Sequence, residues 1–190
     1  MAAAPFQFYV LLSLSLLSTH FTPIHGLFSE QSNIMLPTDQ PRTEKSIHLH
    51  FFSHEIIHGD NATVIPIIIP TTPSGFGATY MQDNPLTEEK EITSTPVGRA
   101  QGLYGLASLH GSGMVTLVNF VFTEGDYKGS TLSILGRNDI FENGRELPIV
   151  GGTGAFKFAK GIDTLRTLWD ISTTAYHVVE HNLRFTVKND

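Results

Sequence analysis

The sequence of 190 residues contains no cysteine. Disulfide staples are thereby excluded, and so is any thiolate metal site. It also lacks a run of about eighteen apolar residues, the length that a membrane-spanning helix needs. Nucleotide fingerprints are missing as well. "VGGTGAFKFAKG" lacks the Gly-Lys-Ser/Thr ending of a P-loop and the third glycine of a dinucleotide site, so it reads as a tight turn. "HGSG" at 110–113 is not G-x-S-x-G and reads as a hairpin turn. Without cysteine, metal cluster or nucleotide motif, the chain has nothing with which to take an electron from an organic molecule, and no cofactor is expected. Residues 1–26 hold no Asp, Glu, Lys or Arg, so the net charge of −6 lies wholly beyond them. That acidic balance disfavours nucleic acid and anionic lipid as partners.

What is present begins with a leader. "MAAAPFQFYVLLSLSLLSTHFTPIHG" has an apolar run from Phe6 to Leu17 followed by small and polar residues. It reads as a secretory signal peptide cleaved near Gly26. A short buried helix is the alternative, and the polar, Pro-containing segment after it argues against that. Residues 27–45 read as a loose N-terminal arm. Residues 46–190 form one domain, large enough for a real core. "NAT" at Asn61 is an N-glycosylation acceptor, consistent with an extracellular destination.

Strand signals then recur to the end of the chain. "SIHLHFFSHEIIH" alternates; "FGATYMQD", "GRAQGLYGLASLH", "GMVTLVNFVFTEG", "GSTLSILG", "GRELPIVGG", "GIDTLRTLWDIS" and "AYHVVEHNLRFTVK" follow. The segment from Asn61 through Pro66, Pro70 and Pro73 reads as loop, as does "PLTEEKEITSTP". Trp169 and most of the phenylalanines are expected in the core. About eight strands and no helical stretch favour an all-β, eight-stranded antiparallel barrel, since closure removes exposed edges. A sandwich is the alternative.

The stretch 47–59 carries four histidines, which raises the question of a metal site. Alternation argues against it. His48, His50, His54 and His58 are all on the even face, whereas the odd face reads Ile47, Leu49, Phe51, Ser53, Glu55, Ile57. The odd face is the more apolar and is placed inside the barrel. The histidines then point outward, spread over roughly 33 Å, with no set of three or four ligands. The same parity puts Glu55 into an apolar interior, where it needs a cationic partner or a raised pKa. In "RELPIVG", Arg145 shares a face with Leu147 and Ile149, while Glu146 faces away. Two strands thus each place one charge inside, which suggests a binding or reaction pocket, with a structural ion pair as the other reading. "MVTLVNFVF" is apolar on both faces, which points to burial on both faces and so to an oligomer.

"LHFFSHEII", "DNPLT" (83–87), "PVGRAQGLYG" (96–105) and "GRNDIFENGRELPIVGGTGAFKFAKG" (136–161) resemble the plant dirigent proteins, from about Ile47 to Val187. The resemblance implies an allene-oxide-cyclase-like barrel, a homotrimer, and secretion to the apoplast with frequent glycosylation. It also implies a phenylpropanoid function. Founding members bind phenoxy radicals made by a separate laccase or peroxidase and impose stereoselectivity on their coupling, as from coniferyl alcohol to lignans. They carry no oxidative centre of their own. Another branch dehydrates isoflavanols to pterocarpans in the same kind of cavity, and a phenolic carrier or wall-assembly protein is a third reading.

Carried over by position, the resemblance implies Glu55, Tyr104 and Arg145 as the reacting groups, with Asp83, Asn138 and Asp139 as substrate-binding residues. Glu55 stands where the common pattern has Asp, Asn138 where lignan-forming members have Asp, and Asp83-Asn84-Pro85 where Asp-Asp-Pro is usual. The cysteine pair of the lignan-forming branch is absent. These departures place the chain in a different branch. Radical guidance is the expected activity, with dehydration as the alternative.

Overall fold

The computed structural model describes residues 44–168 and 175–188. The leader, most of the arm and Trp169 lie outside them. Nine strands are found among the described residues: β1 Glu44–Ile56, β2 Val64–Ile68, β3 Thr79–Thr87, β4 Pro96–Leu106, β5 Gly113–Phe122, β6 Thr131–Asp139, β7 Arg145–Thr153, β8 Lys160–Leu168 and β9 Tyr176–Lys188. All pair antiparallel, in the order β1-β9-β8-β7-β6-β5-β4-β3-β2. A short seam between β1 and β3, with Phe52 opposite Thr87 and Ser53 opposite Leu86, joins the ends. Eight strands therefore close into a barrel, and β2 hangs outside the ring on β3.

β2 corrects the sequence reading, which took this segment as loop because of Pro66. Proline lacks the N–H of a central ladder but is tolerated on an edge, and β2 pairs with β3 alone. Pro85, Leu86 and Thr87, also read as loop, complete β3; the ladder shifts register at Leu86/Thr87. β1 begins at Glu44, so Glu44 and Lys45 are strand and not arm.

Alternation fixes which side chains enter the barrel. On β1 the inward set runs Ile47, Leu49, Phe51, Ser53, Glu55; on β5 it runs Phe122, Phe120, Val118, Thr116, Met114. The β1 set passes from apolar to polar along the barrel axis, and the β5 set passes from phenylalanines to smaller side chains. One end is consequently filled. Phe51 meets Phe120 edge-to-face at 5.0 Å, and Phe156 meets Phe122 and Phe185 at 5.3 Å each. Leu132, Ile134, Leu147 and Leu183 complete this plug. The "GRAQG" stretch of β4 is small for a steric reason. A Cβ on Gly98 or Gly102 would fall 2.0 or 2.1 Å from the β5 carbonyls of Val121 and Leu117, so the two strands approach as closely as they do only with glycine there.

The histidines follow parity with one departure. His48 and His50 are exposed on the outer face, bonded to Asn182 and Glu180 of β9 at 2.9 Å each. His58 lies past the end of β1. His54 also points outward but is fully buried, contrary to the wet histidine face expected. It stacks on Tyr176 and bonds the Tyr176 hydroxyl through Nδ1 (2.5 Å) and Thr87 Oγ1 through Nε2 (2.6 Å). Thr87 donates to the Glu89 carbonyl, so its oxygen accepts from His54 Nε2–H, and Nδ1 accepts from Tyr176. This arrangement needs a neutral ring, and burial does lower the His54 pKa from its ordinary 6.5. The unfolded chain therefore binds the proton more readily, and stability falls as pH falls through 6.5 towards the folded value. We expect the urea midpoint to decrease between about pH 7 and pH 5, and His54→Gln to remove part of that decrease. An unchanged pH slope in the variant would contradict this role.

Candidate active site

The open end of the barrel encloses a cavity of about 170 Å³. That is far more room than one water needs, so a small organic molecule fits. Every strand of the ring contributes, and the lining is mainly apolar with convergent polar groups, as binding pockets are.

Alternation stacks the polar side chains in layers. At the base, Ser53 (β1), His181 (β9) and Asp163 (β8) meet just above the phenylalanine plug. Ser53 Oγ lies 3.0 Å from His181 Nε2, and Asp163 Oδ2 accepts from His181 Nδ1 at 2.8 Å. The His181 ring packs against Phe120 and Phe51, with centroids at 5.0 and 5.5 Å. Further out, beyond Val179 and Leu165, stand Glu55, His177, Thr167 and Arg145. Glu55 Oε2 is 3.9 Å from His177 Nδ1, its partner across the β1–β9 ladder. Arg145 is buried and donates from Nη2 to Thr167 Oγ1 at 2.8 Å. Glu55 and Arg145 thus line one cavity but form no ion pair, which corrects the simple salt-bridge reading.

Burial sets the protonation of this layer. It pushes the Tyr104 phenol far above its usual value, and the charge of Glu55 and the neighbouring Tyr80 add to the rise. Tyr104 therefore remains an O–H donor at neutral pH. Burial also pulls the Arg145 guanidinium below its usual value, while the fields of Glu55, Asp163 and Asp139 push it back up. Three buried side-chain atoms lack a hydrogen-bond partner among the described residues: Arg145 Nε, Asn138 Oδ1 and Asp163 Oδ1. All three residues line this cavity. Unmet buried polar groups are unusual in native proteins, and here they are gathered around one cavity.

Of the residues singled out from sequence, Glu55, Tyr104, Asn138 and Arg145 come together in the cavity. Asp83 does not. It lies on the outer face of β3, half-exposed and paired with Arg99 at 2.7 Å. Its neighbours Gln82 and Asn84 point inward, with Asn84 Nδ2 donating to Gln82 Oε1 at 3.0 Å. Asp139 is likewise outside the lining. It accepts from the Ser112 hydroxyl and from Arg137, and the Ser112 bond chiefly holds its carboxyl below the usual range. Sequence reasoning missed Ser53, Asp163, His177 and His181 as site residues. The parity that found Glu55 finds them too: Asp163 alternates inward with Leu165 and Thr167, and both histidines with Val179 and Leu183.

The dirigent-like protein family model matches residues 46–186. The chain belongs to this family. Dirigent protein 1 of Arabidopsis thaliana is 43% identical over 146 residues, spanning 75% of this chain and 79% of the relative. Pterocarpan synthase 1 of Glycine max is 38% identical over 181 residues, spanning 93% and 95%. Among solved structures, the pterocarpan synthase dirigent protein GePTS1 superposes with a TM-score of 0.72 at 36% identity, over 80% of this chain and 90% of that one. The closed eight-stranded barrel is thus shared with other dirigent proteins, and the function is of dirigent type.

Proposed function

We propose that the cavity binds one phenolic alcohol and takes it through a quinone methide, closing a ring with loss of water, as when an isoflavanol becomes a pterocarpan. The observation that carries this reading is the gathering of an acid, a buried cation and a retained phenol O–H in one apolar cavity with unmet polar atoms. The near end-to-end similarity to pterocarpan synthase 1 supports it. Glu55, which faces His177 across the ladder, protonates the departing hydroxyl. The substrate phenol gives its proton to solvent, supplies the electron pair that expels the water and becomes the quinone-methide oxygen. Arg145 Nε–H and Tyr104 O–H are the donors that steady that oxygen. A second substrate hydroxyl then adds to the electrophilic carbon and its proton returns to Glu55; the first oxygen takes a proton back from solvent, and one water has been lost.

Stereoselective guidance of phenoxy-radical coupling is the second reading, with oxidation left to a separate laccase or peroxidase. The similarity to dirigent protein 1 favours it. One comparison separates the two. With an isoflavanol and no oxidant, the first reading predicts turnover, reduced by roughly 10²–10⁴ in Glu55→Gln and in Arg145→Leu. The double variant should cost little more than either single one, because the two act on one substrate. No turnover, together with enantiomeric enrichment of monolignol products once laccase is added, would establish radical guidance instead. Full activity in both single variants would overturn the site itself. Retention of a phenol without either reaction would indicate a carrier.

The protein is further read as a secreted, apoplastic homotrimer glycosylated at Asn61, which lies exposed in the turn between β1 and β2. A row of outward apolar side chains supports assembly. Met81, Leu103, Leu117 and Leu135 stand in register across β3, β4, β5 and β6, and Met81, Leu117 and Leu135 are 41–44% exposed. Contiguous apolar surface of this kind marks interaction sites. Light scattering of the secreted protein should give the mass of three chains, and Leu117→Glu should shift it towards one. A stable wild-type monomer at micromolar concentration would contradict the trimer.

A further inference from the structure

The layer at the base of the cavity has no part in the reaction above. Ser53, His181 and Asp163 come from three adjacent strands and form a hydrogen-bonded chain, with distances of 3.0 and 2.8 Å. Asp163 is fully buried, Ser53 is 4% exposed and His181 6%. The carboxylate at Nδ1 holds the proton on that nitrogen, so Nε2 presents its lone pair to the Ser53 hydroxyl. A hydroxyl donating to a histidine that is itself oriented by a buried carboxylate is the geometry of an activated serine, whatever fold carries it. Ser53 lines the cavity, within which a molecule would bind. The aromatic floor of Phe120 and the apolar wall suit a small aryl group. Arg145 Nε–H, buried and unpartnered in the same cavity, supplies a donor for negative charge on a carbonyl oxygen.

We propose that Ser53 is a nucleophile and that the cavity floor transfers acyl groups from small aryl esters. Ser53 Oγ bonds to the ester carbonyl carbon and its proton passes to His181 Nε2. The bond from that carbon to the aryl oxygen then breaks, and the proton on His181 goes to the departing phenolate. The product is a free phenol and an acyl-Ser53. Water, deprotonated by His181, adds to the acyl carbon, the Ser53–acyl bond breaks, and Ser53 recovers its proton. Asp163 is a positioning residue in this scheme: it touches no substrate and fixes the His181 tautomer.

The test uses the secreted chain with 4-nitrophenyl acetate, following release of nitrophenol and mapping the acetyl group by peptide mass spectrometry. The acetyl group is expected on Ser53, with a burst of nitrophenol ahead of slower turnover. Asp163→Asn should slow the burst by about 10²–10⁴-fold, since it disturbs the tautomer that activates the serine. Ser53→Cys should restore an acyl adduct at the same position, and Ser53→Ala should abolish it. Mapping on the unsubstituted protein decides the matter even where a variant fails to fold. Acetylation confined to lysines or Tyr104, an unmodified Ser53, or a burst unchanged in Asp163→Asn would overturn the proposal.

Discussion

A guanidinium held inside an apolar barrel is the constraint on which this site depends. Arg145 is 5% exposed, donates to Thr167, and has no carboxylate in contact among the described residues. Moving such a charge out of water costs several kcal/mol, by order of magnitude. The fields of Glu55, Asp163 and Asp139 offset part of that cost from a distance. Arg145 Nε remains unmet, a deficit of about 1–3 kcal/mol for a buried donor. A ligand oxygen would recover it. A direct ion pair with Glu55 would have satisfied the group internally, and the barrel does not form one.

Around this charge the strand period imposes a layered chemistry. The inward positions along β1, β8 and β9 lead from the phenylalanine plug through Ser53, Asp163 and His181, past Leu165 and Val179, to Glu55, Thr167 and His177. The seam between β1 and β3 is only a short pairing, yet it completes the ring that keeps these levels facing one another. The outer surface obeys the same period, which sets Met81, Leu103, Leu117 and Leu135 in one row on the opposite side of the wall.

Much of this was legible from residue alternation. Parity along "IHLHFFSHE" and "RELPIVG" is enough to place Glu55 and Arg145 inside, because one buried face forces a period of two. The parts that escaped did so for physical reasons. Pro66 disguised an edge strand, since proline is tolerated where the ladder is one-sided. His54 obeyed parity yet is buried, because Tyr176 and Thr87 cover the outer wall there. Asp83 and Asn84 exchanged roles because the strand runs on through Pro85, so that Gln82, Asn84 and Leu86 share the inner face. Parity places Ser53, Asp163 and His181 each on an inward face, but no sequence spacing joins them into one cluster. Their proximity exists only once β1, β9 and β8 are laid side by side.

The central claim is that the unmet Arg145 donor is completed by a phenolic ligand. It can be observed directly in the nitrogen-15 spectrum of the protein, through the Arg145 Nε–H resonance, on saturation with an isoflavan that lacks the departing hydroxyl. The account predicts a change in that resonance and slower exchange of its proton with water, as a hydrogen bond to the ligand oxygen forms. An isoflavan that binds while the Arg145 resonance and its exchange rate stay unchanged would contradict it.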